Sequence, residues 1–139
     1  MIKILMIENS LSDSLLLKLW VEDKEKREFK TTTARTLRQG ISMVEKNRFD
    51  LVFLDLALSD SKRVGTIINL VHNTQDIPIL VCNDSDDHTT KNKVIESGAS
   101  GYIAKSKITT KLFISEVKSC IEDFHRAKTD MAMFKHNLL

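Results

Sequence analysis

The chain has 139 residues, 42% of them hydrophobic and 29% charged, with a formal net charge of +2. Those values suit one globular domain that buries roughly two-thirds of its unfolded surface, and they exclude a disordered chain and a disulfide scaffold. Cations are interleaved with acids, as in Glu22-Asp23-Lys24-Glu25-Lys26-Arg27-Glu28, so no basic footprint for nucleic acid emerges, and no apolar run approaches the ~20 residues of a membrane span.

Taken in chain order, the first apolar run, Ile2–Ile7, stops at Glu8 without a small-residue cleavage site, so it reads as a strand and not as a secretion signal. A segment of helical period follows over 13–22, with Trp20 as a core residue. The second strand, 29–33, carries Lys30 and three threonines and belongs at a sheet edge. A helix over 36–47 leads to the apolar strand 51–54, and a helix over 64–73 to the strand 79–82. Pro78 opens that strand, where a missing N–H is tolerated. The acidic run Asp84-Ser85-Asp86-Asp87 starts a helix over 88–97, since acids favour a helix's positive end. Gly98 closes it as a C-cap, the strand 101–104 follows, and a last helix runs from 109. Its residues Ile114, Val117, Ile121, Phe124, Met131 and Leu138 keep a near-heptad spacing broken by Lys128 and Lys135. The helix therefore extends past the domain body, which ends near residue 125, as a segment over 126–139 that pairs weakly at most with a second copy.

Five strands alternating with five helices predict an α/β domain around a parallel sheet. Strands one, three and four are apolar throughout and occupy the middle, giving the order 2-1-3-4-5 with ligands beyond strands one and three. Cys82 and Cys120 match no zinc or CxxC spacing and read as thiols in a reducing, cytoplasmic compartment. The four histidines likewise show no metal-motif spacing.

Because helices alternate with strands, the carboxyl ends of all strands share one rim, where Glu8-Asn9, Asp55, Asn83-Asp84 and Lys105 meet. A carboxylate there binds a divalent cation or attacks phosphorus while the metal neutralises charge on the transferring group. Asp55 is the candidate nucleophile, Glu8 and Asn9 candidate magnesium ligands, Lys105 a cation for a phosphate, and Asn83 an amide donor to its oxygens. The bland reading of each acid taken singly is a helix cap or a hydrated surface group. The joint pattern is harder to dismiss.

These residues resemble the receiver domain of two-component response regulators. The likeness runs through Ile4-Leu5-Met6-Ile7-Glu8-Asn9, Phe49-Asp50-Leu51-Val52-Phe53-Leu54-Asp55-Leu56, Ile77-Pro78-Ile79-Leu80-Val81 and Gly98-Ala99-Ser100-Gly101-Tyr102-Ile103-Ala104-Lys105. It implies a flavodoxin-like, doubly wound fold. It also implies that Asp55 accepts phosphate from a histidine kinase or phosphotransfer protein, that Lys105 contacts the phosphoryl group, and that Glu8, Asn9, Asp55 and the Ala57 carbonyl surround Mg2+. Tyr102 becomes the aromatic switch residue, on a helix-four, strand-five and helix-five face read by a downstream protein or a fused effector domain.

Four departures qualify the match. Asn9 replaces a second metal-binding carboxylate, and losing one partly screened charge contact costs roughly 1 to 3 kcal/mol, about tenfold to a hundredfold in metal affinity. Asn83 replaces the switch Thr or Ser, which weakens coupling. Ser106 replaces a proline commonly preceded by a cis bond, so a trans bond is expected. Ser59 and Arg63 stand where the family favours Pro and Gly, so the loop after Asp55 differs. Asn9, Asn83 and Ser106 together raise an alternative, a degenerate receiver that binds partners or dimerises without phosphorylation. A phosphohydrolase with an aspartate nucleophile fares worse, because Ala57 stands where such enzymes place a second aspartate as acid/base. Nucleotide-binding glycine motifs are absent.

Overall fold

The structure, a computed structural model, describes residues 1–8, 17–18, 20–23, 28–56, 63–74, 76–84 and 87–138, with the backbone alone at 63, 64 and 138. Its strands are β1 (Ile2–Ile7), β2 (Phe29–Ala34), β3 (Leu51–Asp55), β4 (Ile79–Asn83) and β5 (Gly101–Ala104). Helical residues within 17–23 form α1, followed by α2 (Leu37–Lys46), α3 (Arg63–Asn73), α4 (His88–Glu96) and α5 (Thr110–Leu138), with a 3-10 turn at Lys105–Lys107. All strand pairs are parallel and the order is β2-β1-β3-β4-β5, the flavodoxin-like arrangement expected.

Side chains of a strand alternate between faces, and that parity divides the core. Leu5, Ile7, Val52, Leu54 and Val81 face α2, α3 and α4, where they pack with Leu37, Ile67, Leu70 and Val94. Ile4, Met6, Leu51, Phe53, Leu80 and Cys82 face the other way, toward Leu17 and Val21 of α1 and Phe113, Val117 and Cys120 of α5. Phe53 and Phe113 meet edge to face with ring centroids 5.3 Å apart, the geometry the ring quadrupoles prefer.

Helix boundaries follow local chemistry. Thr36 caps α2 by accepting a hydrogen bond from the Gln39 N–H at 3.1 Å, and Asp87 caps α4 by accepting one from the Thr89 N–H at 3.2 Å. Both side chains serve amides that the first helical turn leaves without a backbone partner. Gly98, one residue past the Ser97 cap, has φ +110°. A side chain there would be strained and would press on Val71, which is why glycine ends this helix. Three strands run one residue further than the sequence predicts. The ladder carries Ala34 beside Ile7, and it carries Asp55 beside Cys82 and Asn83 beside Ala104, because backbone pairing is indifferent to side-chain polarity. Among the described residues all peptide bonds are trans, including the one before Ser106.

The last helix has 29 residues, a rod of about 43 Å at 1.5 Å per residue. Val117 and Cys120 are buried and Phe124 half-buried, whereas 125–137 are exposed throughout. Met131 and Phe134 are 56% and 59% exposed. Lys128 of this exposed part pairs with Asp76 before β4, and Asp76 is held below the usual carboxylate range by that hydrogen bond and charge. No described helix is long and apolar enough to cross a membrane.

Candidate functional site

The same parity that divides the core builds the site. Glu8 continues the Ile4, Met6 series of β1, and Asp55 continues the Leu51, Phe53 series of β3. Since Ile7 is in register with Leu54, Glu8 and Asp55 sit side by side one step further along adjacent central strands. Both are buried, at 2% and 1% exposure.

Lys105 reaches them from the 3-10 turn after β5. Its Nζ lies 2.8 Å from Asp55 Oδ2, and its side chain keeps 26% exposure. Burial works against the ammonium charge, but the hydrogen bond and charge of Asp55, helped by Cys82 and Asp84, outweigh it and hold Lys105 above the ordinary lysine value. It is therefore a fixed cation at neutral pH. Glu8, Asp55 and Lys105 thus meet in a largely desolvated setting, where charge interactions gain strength.

Glu8, Asp55 and Lys105 open into a cavity of about 150 Å³. Its remaining described walls are Leu17, Trp20, Phe53, Cys82 and Ile108. Burial, and next the Asp55 charge, push the Cys82 thiol up to about 12, so the sulfur stays protonated. Burial and the charges of Glu116 and Asp123 do the same to Cys120, also to about 12. Both thiols are free and buried.

Of the residues singled out from sequence, Glu8, Asp55 and Lys105 are brought together. Asn83 ends β4 with its side chain half-buried and outside the cavity lining. Tyr102 lies on the other face of β5, packed against the α2–α4 core cluster. Asn9, Ala57 and Ser59, and the side chain of Arg63, lie outside the described residues. Sequence reading did not find the apolar walls of the cavity and gave Trp20 to the core, where it does pack while also lining the cavity. Parity was the available signal: Phe53 and Cys82 are placed on the face of Asp55 by counting in twos.

Among the described residues no group of three or more His, Cys, Asp or Glu side chains could hold a metal ion. Glu8 and Asp55 do supply two adjacent hard oxygen donors, the chemistry Mg2+ prefers. The donor set fits that ion, with the remaining positions left to waters and to groups outside the described residues.

A family model described as the response regulator receiver domain matches residues 4–118. No curated protein matches the chain. Among solved structures, the chain is similar to a two-component response regulator from Clostridium difficile, at 22% identity and a TM-score of 0.76 over 88% of this chain and 97% of that one. It is similar to the chemotaxis response regulator CheY4 of Vibrio cholerae, at 18% identity and 0.75 over 86% and 98%. A third is the beryllofluoride-activated NtrC4 receiver domain dimer, at 22% identity and 0.77 over 89% and 99%. At these identities the structural likeness speaks for the fold.

Proposed function

The chain belongs to the response-regulator receiver-domain family, and from that premise we propose that it is a phosphoacceptor module in which Asp55 takes a phosphoryl group from the phosphohistidine of a cytoplasmic histidine kinase or phosphotransfer protein. The observation that carries this reading is Asp55 at the end of a central strand with Lys105 at 2.8 Å and Glu8 in the same cavity. A carboxylate oxygen of Asp55 attacks phosphorus, a P–O bond forms as the P–N bond of the donor breaks, and the imidazole nitrogen keeps the electron pair. Lys105 then serves the phosphoryl oxygens in place of the carboxylate it now pairs with. Glu8 and Asp55, with Asn9 and the Ala57 carbonyl, are the groups that would hold Mg2+. When bound, that ion supplies positive charge against the transferring phosphoryl group. Asn83 stands at the position where the family uses a hydroxyl, half-buried and outside the cavity lining. Tyr102 links the event to the α4, β5 and α5 surface, and the exposed Ile95 of α4 and Met131 and Phe134 further along α5 suit a downstream protein, a fused effector or a second copy.

Incubation with Mg2+ and a small phosphodonor, followed by intact mass and hydroxylamine treatment, tests this. A hydroxylamine-labile gain of one phosphoryl group that disappears in Asp55→Ala is expected, and its absence over a wide Mg2+ range overturns the reading. The 1% exposure of Asp55 favours the second reading, a receiver that binds partners without phosphorylation. In that case partner binding is unchanged by Asp55→Ala.

A further inference from the structure

At the opposite end of the strands from Asp55, on the face toward α2, three cations stand around an open cleft of about 200 Å³. Lys3 shares the parity of Leu5 and Ile7, and Lys30 that of Ala34, so both project to that face near the start of β1 and β2. The ladder puts the two lysines in register, on strands about 4.8 Å apart. Like charges directly opposite one another on neighbouring strands are destabilising. Arg48, between α2 and β3, brings a third cation to the same cleft, Thr32 lines it further along β2, and Met43 and Phe49 form its apolar side. Among the described residues none of these three cations has an ion-pair partner. Asp50, which follows Phe49, accepts the Lys3 backbone N–H on Oδ2 at 2.8 Å instead. The carbonyl end of α2, which disfavours anions, is partly satisfied from within, because the Met43 carbonyl accepts both the N–H and the Nδ2 of Asn47. Water alone leaves the repulsion between the cations standing, and an anion held among them removes it.

We infer that this cleft binds the phosphomonoester group of a small molecule, with the Arg48 fork on two of its oxygens and Lys3 and Lys30 as point charges beside them. Such a group carries about −1.5 to −2 at pH 7, which suits three cations better than a singly charged anion does. The cleft is smaller than the roughly 300 to 1,000 Å³ of a drug-sized site, so the phosphoryl group fills it and the rest of the molecule lies over Met43 and Phe49. Five residues of extended chain, about 17 Å, separate Lys3 from Glu8. The inference therefore stands apart from the phosphoacceptor reading of Asp55.

Phenyl phosphate is the probe, titrated calorimetrically into the whole protein in EDTA and low salt. Saturable binding at one site is expected, weakening as NaCl is added. Benzenesulfonate, which keeps the ring but carries a single charge, is expected to bind roughly tenfold or more weakly. Lys30→Gln removes a charge, and Arg48→Lys keeps the charge but loses the fork. Each is expected to weaken phenyl phosphate roughly tenfold. Without the probe, Lys30→Gln is expected to leave the urea midpoint unchanged or raised, since it relieves the repulsion with Lys3, whereas a lysine with a merely structural role would lower it. A response that never saturates, equal binding of benzenesulfonate, full affinity in both variants, or a lowered midpoint in Lys30→Gln overturns the inference. Retention on vesicles of phosphatidylcholine and phosphatidic acid without saturable binding of phenyl phosphate assigns the cations to a lipid surface and overturns it as well. Binding without any phospho-adduct on Asp55 sinks the phosphoacceptor reading and leaves the cleft standing; an adduct without binding does the reverse.

Discussion

Alternate residues of the same strands make both faces of the sheet, yet the two faces end differently. Toward α2, α3 and α4, the residues of β1 and β3 stay apolar to the last turn of the pleat, with Ile7 and Leu54 fully buried. Toward α1 and α5, the series closes on Glu8 and Asp55, and the core opens into a cavity with Lys105 at its mouth. One parity holds the sheet together and the other carries charge into it. Function here sits one residue beyond stability on the same backbone.

That contrast is open to measurement, beginning with the site. Asp55→Asn should abolish the phospho-adduct completely in intact mass, while its urea midpoint moves less than that of a substitution on the sealed face. Leu54→Ala is the matched partner, and it should lower unfolding stability by about 2 to 5 kcal/mol in urea titrations, through lost burial and the cavity left behind. If Asp55→Asn proves the more destabilising of the two, the division of labour between the faces fails.

Asn9→Asp sharpens the comparison from the metal side. Restoring one carboxylate should tighten Mg2+ by about tenfold to a hundredfold, read by competition or calorimetry. An unchanged affinity would mean that the ion does not meet this position.

A smaller effect is expected in alkali. The buried thiols of Cys82 and Cys120 are held protonated to about 12 in the fold, against 9.0 for a free thiol. Between those values the unfolded chain has lost the proton that the folded chain retains, so stability falls as pH rises through that window. Lys105 adds to the decline only above its ordinary 10.5, since its folded value is raised. Urea midpoints should therefore drop between pH 9 and the upper limit and flatten in a Cys82→Ala, Cys120→Ala double variant, and neither thiol should react with a thiol reagent in the native protein near neutral pH. The smallest effect belongs to the surface. Asp76→Ala removes an exposed partner of Lys128 and should leave Tm unchanged within error, because solvent screens such pairs.

Most of the fold was legible because its signals are local and periodic. The apolar runs of β1, β3 and β4, the acidic run that ends at Asp87 and the Gly98 cap announce themselves within a few residues, whereas Thr36, read as the first residue of its helix, is the cap of α2. The site was legible as far as topology reaches: alternation of strands and helices brings Glu8, Asp55 and Lys105 to one rim whatever the side chains do. The cavity was not, because its walls come from α1, β3, β4 and the segment before α5, and no local pattern reports the volume left between them. Asn83 shows the same limit. Its position at the rim follows from topology, but its parity turns it from the face where Asp55 points.

The length of α5 has a mechanical consequence. The helix is held to the body through Phe113, Val117 and Cys120, and residues 125–138 run on past those contacts as an arm of about 21 Å. A bend of about 5° where the arm leaves the body sweeps its tip through roughly 2 Å. The arm carries Met131 and Phe134 clear of the sheet, where they can be met without contact to the rim.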